Sequence, residues 1–266
     1  MGLVGGVGSA AGEDGRRVSL IVRRTALNLR KGALAVHTSS KAYRNWCRGH
    51  PLAWGLLLVV VLWLSRVILV LIFPQWFSPF DIHETPAFAL LLLGWFALLS
   101  VLLVGGGIVW LTGTSWRSLG WHREGLVKAV GLGLLGFVLN VVALLPVIWV
   151  RGAAARPGYV SPTVIRLLLA AFFAFGIPAW VEENLFRGFL QPLLAKRVAL
   201  WMAIGIQAAL FSASHLGYAG NALQFGWLFV SGLIYGWLRG RDRSLVASYL
   251  AHALGWMMIA FGPAAF

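Results

Sequence analysis

Two glutamates stand side by side in an otherwise apolar stretch, Glu182 and Glu183, and Arg187 follows four residues after the second. The other six acidic residues, Glu13, Asp14, Asp81, Glu84, Glu124 and Asp242, fall in segments that read as tail or loop. Among six histidines, only His215 and His252 lie inside apolar stretches. A charge at the centre of a bilayer costs at least ~2.5–3.5 kcal/mol on insertion scales, so such residues face a protein interior and mark function. Glu183 and Arg187, at i and i+4, can pair on one helix face. Glu182, about 100° round the helix, then points elsewhere, and the two histidines are its candidate partners. A carboxylate and an imidazole sharing one water can make that water a nucleophile, with the carboxylate as general base. A second imidazole can donate to the oxyanion of a tetrahedral intermediate. That is hydrolytic chemistry without a covalent nucleophile, although Ser212 and Ser214 flank His215 closely enough to keep in view. A Glu–Arg pair alone serves equally well as a packing clamp, and a single histidine as a satisfied core residue. Two glutamates and two histidines together point to function, because the desolvation cost is met repeatedly.

The elements that hold these residues must be membrane helices. Of the chain's 266 residues, 59% are hydrophobic and 11% charged, against roughly half and a quarter in a soluble domain. That excess cannot be hidden in one soluble core of this size. Apolar runs are predicted at 52–73, 87–111, 125–150, 163–194, 199–216, 222–238 and 245–265. The fold class is therefore all-α: a polytopic transmembrane helical bundle of about seven spans, each near the ~20 residues a crossing needs. The expected domains are a basic cytoplasmic tail, 1–50, and a transmembrane domain, 51–266, whose motif-bearing core is 163–260. Small, Gly-rich residues 1–15 suggest disorder, and Val18–Val36 suits either a basic amphipathic surface helix or a loose basic tail. Glu182 lies about 20 Å along a helix from Lys196, His252 about 12 Å from Ser244 and His215 about 24 Å from Ala199, so the three can meet near mid-membrane.

The formal net charge of +14 is not a nucleic-acid signal. Nine of the 22 Lys and Arg precede residue 50, and most others sit in short gaps between apolar runs. This suits anionic lipid headgroups and topology control rather than a solvated DNA-binding face. With the N-terminus in the cytoplasm, Arg117, Arg123, Lys196, Arg197, Arg239, Arg241 and Arg243 all fall on the inner side. Arg66, inside the first span, reads as snorkelling or structurally paired, since nothing acidic is near it in sequence. Asn140 and Gln207 read as helix–helix hydrogen bonders, and Gly131, Gly133 and Gly136 as close-packing positions. Cys47 is the single cysteine, so an intrachain disulfide is ruled out.

Three short motifs on successive apolar runs carry a family resemblance. Glu182-Glu183-Asn184-Leu185-Phe186-Arg187-Gly188 resembles the EExxxRG motif of the CAAX protease and bacteriocin-processing family (CPBP, or Abi) of intramembrane proteases. Phe211-Ser212-Ala213-Ser214-His215 resembles its FxxxH motif, and His252 the histidine that opens its HxxxN motif. Order and intervals match, over about residues 163–260. The resemblance implies a glutamate-type protease of the bacterial inner membrane. In it Glu182 is the water-activating base, His215 its partner on the water, Glu183 and Arg187 supports of the geometry, and His252 a stabiliser of the oxyanion. It implies no cofactor and no metal, and a hydrophobic or lipidated protein or peptide substrate. One position departs: the family's Asn falls at 256, where this chain has Trp256. Trp offers one indole N–H and cannot reproduce an amide.

Two further readings stand beside this one. Two histidines and a carboxylate suffice for a catalytic zinc, although no HExxH is present. A non-catalytic immunity or scaffold protein of the same family is the other, and Trp256 favours it. A transporter is disfavoured, since no repeated pair of broken helices is visible.

Overall fold

The computed structural model describes residues 41–72, 94–151, 168, 171, 172, 174–176, 178–216 and 222–261. The amphipathic helix expected at Val18–Val36, the Gly-rich start, the loop after residue 73 and most of 163–177 lie outside these residues. Two compact units separate at Gly49 and His50. Of the first, residues 41–49 are helical, with Cys47 buried and the Tyr43 and Trp46 rings stacked.

The second unit is all helix among the described residues, as the composition predicts. Its elements are α1, Pro51–Ile72; α2, Gly94–Trp110; a short α3, Trp116–Leu119; α4, Leu126–Arg151; α5, Pro178–Glu182; α6, Gln191–Ala195; α7, Leu200–Ala213; α8, Ala222–Asp242; and α9, Val246–Phe261. Between α5 and α6 the chain winds as a π-helix over Glu183–Leu190, so 178–195 is one continuous motif helix with a widened middle.

By length and composition, α1 and Leu126–Val150 of α4 qualify as membrane-crossing, while Gly94–Trp110 and Leu200–Ala213 are apolar but shorter. The motif helix and α8 fall short for a physical reason. Buried polar residues, Glu182 to Arg187 in one and Gln224 and Ser231 in the other, dilute their hydropathy.

Helical spacing sorts each face. In α1, Trp54, Leu58, Leu62, Arg66 and Leu69 are buried, whereas Leu57, Val61, Leu64, Ile68 and Leu71 are exposed. The exposed row is wholly apolar, as a lipid-facing row must be. Trp54 ties α1 to α2 by donating from Nε1 to the Gly107 carbonyl, 2.7 Å away. α4 packs against α8 and α9 through glycines. A Cβ at Gly136 would come within 2.4 Å of Leu238 Cδ1, and one at Gly133 within 3.0 Å of the Ala247 carbonyl oxygen. Gly131, expected to pack likewise, has open space beside it. Between α7 and α8, Gly232 faces Ala208 so closely that a Cβ would lie 2.9 Å from its Cα. Small residues of this kind let backbones approach where no hydrophobic drive operates between helices.

The π segment is the hub. It contacts α1, α2, α3, α7, α8 and α9, and all eight of its residues are buried.

Candidate functional site

Glu182 ends α5 and Glu183 opens the π segment, and both are fully buried. Glu183 Oε1 accepts from Arg187 Nη1 at 3.0 Å, the i,i+4 pair the spacing predicts. The same oxygen lies 2.9 Å from His252 Nδ1. A carboxylate is acceptor-only, so Nδ1 of His252 carries the hydrogen. Arg187 is held further: Nη2 donates to the Gly232 carbonyl at 3.3 Å, and the guanidinium lies 4.3 Å from the Phe211 ring centroid and 5.1 Å from that of Tyr235. Such cation–π contacts strengthen when desolvated.

Glu182 does not simply turn to the histidines. Its Oε1 is engaged by Arg66 Nη2 of α1, in a buried ion pair. Arg66 Nη1 donates in addition to the Ser214 carbonyl at 3.2 Å and to Ser214 Oγ at 3.1 Å. Of the two readings of Arg66, the pairing holds and the snorkelling does not: it reaches inward to Glu182, within the candidate site. Its mid-span position was the signal, by the insertion-cost argument that singles out the glutamates. The missing clue was its partner, 116 residues away in sequence. With Arg66 included, two carboxylates face two guanidiniums, and the buried cluster is neutral when its histidines are neutral.

The second Glu182 oxygen, Oε2, lies 3.5 Å from His252 Nε2. His252 thus stands between the two glutamates, one ring nitrogen toward each. With Nδ1 protonated, Nε2 is an acceptor, and it faces another acceptor. Two buried lone pairs opposed in this way need a shared proton, or a water donating to both. Among the described residues, Glu182 Oε2 and Glu183 Oε2 are buried with no hydrogen-bond partner, as is Arg187 Nε. A buried unsatisfied carboxylate oxygen is costly, and here it marks where a polar guest is stabilised.

His215 follows the C-terminal end of α7, in a turn closed by its N–H donating to the Ser212 carbonyl at 3.0 Å. Its Nδ1 lies 2.7 Å from the Phe211 carbonyl oxygen and must donate to it, so Nε2 of the neutral ring is an acceptor as well. Two bridges connect His215 to the glutamates. Ser214, its neighbour, is bonded to Arg66, and the Phe211 ring touches both His215 (4.8 Å) and His252 (5.7 Å). The structure therefore joins Glu182, Glu183, Arg187 and His252 directly, and brings His215 in through Arg66, Ser214 and Phe211. Ser214 Oγ lies 3.3 Å from His215 Nδ1, but that nitrogen carries the hydrogen given to the Phe211 carbonyl and is no base for the hydroxyl. Ser212 Oγ donates to the Phe225 carbonyl at 3.0 Å and Ser214 Oγ to the Phe211 carbonyl at 2.8 Å. Trp256, one turn beyond His252, is half-buried.

The same motif helix carries a cap on its other flank. Asn184 accepts from Trp121 Nε1 at 2.8 Å and donates to the Trp180 carbonyl at 2.8 Å, within a group of rings formed by Trp116, Trp121, Trp180 and Tyr249. Asn184 is thereby a structural anchor one residue from Glu183. As for metal, no group of three or more His, Cys, Asp or Glu among the described residues is disposed to hold one. The nearest donor set, Glu182, Glu183 and His252, already has a guanidinium on each carboxylate.

Residues 164–258 match the family described as Rce1-like, type II CAAX prenyl endopeptidase. This part of the chain is similar to the Rce1-like family. The family is one of membrane-embedded CAAX-type proteases, in agreement with the motif resemblance and with the two apolar helices long enough to span. The Rce1-like stretch contains Glu182, Glu183, Arg187, His215 and His252, whereas Arg66 and Asn140 lie before it. No curated protein and no solved structure matches the chain.

Proposed function

We propose that this chain is an intramembrane endopeptidase that hydrolyses a peptide bond in a hydrophobic, lipidated or C-terminal segment with a water activated by Glu182. The observation that carries the reading is the orphaned Glu182 Oε2 facing His252 Nε2 at 3.5 Å, with Glu183 behind the same imidazole. A water at this position donates one hydrogen to Glu182 Oε2, and its oxygen attacks the scissile carbonyl carbon. As the water attacks, its second hydrogen turns from His252 Nε2 to His215 Nε2, the other acceptor. The proton taken by Glu182 passes to His252 Nε2 and makes an imidazolium, which the Glu183 carboxylate stabilises. Only then does His252 become a donor at Nε2, as the oxyanion forms and the amine departs. Arg66 fixes one oxygen of Glu182 and so aims the other. No cofactor is part of this chemistry, and a zinc is disfavoured by the two guanidiniums that occupy the carboxylates.

The proposed setting is seven crossings with the N-terminus in the cytoplasm of a bacterial inner membrane, as the loop arginines argue. Outside labelling of a cysteine at position 117 or 241 would overturn this arrangement. The substrate test uses purified protein in bicelles and a fluorogenic peptide ending in a farnesylated Cys and three further residues. Cleavage is expected from the unaltered chain, with at least a 100-fold loss in Glu182→Ala and His215→Ala and none with EDTA or phenanthroline. Retained cleavage in Glu182→Ala, or chelator inhibition reversed by zinc, defeats the mechanism. A second reading, a non-catalytic family member acting as a scaffold, is favoured by Trp256 alone. It predicts no turnover of any prenylated peptide and no gain on Trp256→Asn.

A further inference from the structure

His252 is held at Nδ1 by Glu183 and faces Glu182 with Nε2, but its ring plane is also bounded by residues that the proposed chemistry does not use. The Tyr235 ring stacks on it, with centroids 4.7 Å apart and planes 19° from parallel. The Tyr235 hydroxyl accepts from Asn140 Nδ2 of α4 at 2.9 Å, and Asn140 Oδ1 accepts from Ser231 Oγ at 2.6 Å. Asn140 and Tyr235 are both buried. The amide also lies against the turn of α9 that follows His252. A Cβ at Gly255 would come within 3.0 Å of Asn140 Nδ2 and 3.4 Å of the Tyr235 hydroxyl oxygen. Asn140 thus touches both the phenol that covers His252 and the helix that carries it.

We propose that Asn140, Tyr235 and Gly255 form a positioning device that holds the His252 imidazole in the plane where Nδ1 meets Glu183 and Nε2 meets Glu182. The hydrogen bond from Asn140 restricts the phenol, and the stacked phenol restricts the imidazole. Without it, His252 keeps one strong bond, to Glu183, and can swing about that bond, carrying Nε2 away from Glu182 Oε2. A displacement of this kind far from the reacting bond costs up to ~100-fold in rate. Asn140 is then a residue of the site although it lies on a helix outside the Rce1-like stretch.

This inference rests on the proposed role of His252, and the test separates the two. In the farnesylated-peptide assay, Tyr235→Phe and Asn140→Ala are expected to lower kcat about tenfold to 100-fold with KM unchanged. Gly255→Ala, which pushes the amide aside without removing any polar group, is expected to do the same. In a His252→Ala background, none of the three should cause a further loss. A readout that needs no substrate is the imidazole nitrogen spectrum of His252 in nitrogen-15 histidine-labelled protein in bicelles. The hydrogen-bonded Nδ1–H signal is expected to be sharp in the unaltered chain and broadened or lost in Tyr235→Ala and Asn140→Ala. Variants with unchanged kcat and an unchanged His252 signal overturn the device while His252→Ala remains inactive. Activity retained in His252→Ala overturns the reading beneath it instead. Losses of kcat that track only the yield of folded protein also overturn it, since a purely structural role predicts those.

Discussion

Glu182 and Glu183 are sequence neighbours, yet their arginines come from different places. Arg187 is one helical turn away from Glu183 on the same helix, whereas Arg66 reaches Glu182 from α1, 116 residues earlier. The local pair is an internal property of the motif helix and forms whenever that helix forms. The cross-helix pair forms only when α1 and the motif helix are docked. Each keeps one oxygen without a hydrogen-bond partner among the described residues, but Glu183 meets His252 Nδ1 at 2.9 Å on the oxygen it shares with Arg187, whereas the unpartnered oxygen of Glu182 is the one that faces His252, at 3.5 Å from Nε2. On the proposed mechanism, two adjacent, chemically identical side chains are thus separated into a support and a reactive group by where their cations originate.

The largest effect should come from breaking the local pair. Arg187→Met strands the buried Glu183 and removes the contacts of the guanidinium with Gly232, Phe211 and Tyr235. A loss of about 3–5 kcal/mol is expected, read as collapse of folded yield and thermal stability in detergent. Breaking the cross-helix pair with Arg66→Met should cost somewhat less, roughly 3 kcal/mol, because the removed contacts lie on one side of Glu182 only. Adding Glu182→Gln to Arg66→Met should restore most of that stability while leaving cleavage absent, since removing both charges eliminates the stranded one. A double variant no more stable than Arg66→Met would show that the pair is not the relevant unit. A finer probe is Arg66→Lys, which keeps the charge and loses the fork that spans Glu182 and Ser214. Its folded yield should be near normal and its kcat lower by about tenfold. The smallest effect belongs to the exposed Arg117–Glu124 pair, at 2.7 Å, whose side chains are 75% and 64% exposed. Glu124→Gln should change stability by less than ~0.5 kcal/mol, confirming that geometry without burial counts for little.

The same contrast explains what the sequence discloses. The all-helical class, the first and third apolar runs and the Glu183–Arg187 pair follow from hydropathy and from i,i+4 spacing, which are local. The residues of the site on the motif helix, α7 and α9 are legible too, because an ionisable group in an apolar run is conspicuous. The partner of Arg66 is not legible, since no local rule relates position 66 to position 182. Nor is the stacking of Tyr235 on His252, because a tyrosine in an apolar helix looks like any core or interfacial ring. Asn140 is readable as a hydrogen bonder between helices, and it does bridge α4 to α8. What remains hidden in the sequence is that its partner is the ring covering His252. The widening of the motif helix over Glu183–Leu190 has no sequence signature here either.

That widened segment has a consequence for how the protein is made. With all of Glu183–Leu190 enclosed, it has no side that lipid can solvate, and it carries a carboxylate, an amide and a guanidinium, with Glu182 just before it. At the moment of its synthesis α1 is already available and supplies Arg66, but α7, α8 and α9 do not yet exist. Entry of the segment alone would expose Glu183, Asn184 and Arg187 to hydrocarbon, at a few kcal/mol for each charge. Its lateral release from the insertion machinery must therefore wait for the three later helices. A nascent chain arrested before Val246 should remain protease-accessible at residues 182–190 and be handed to quality control, however apolar the rest of it is.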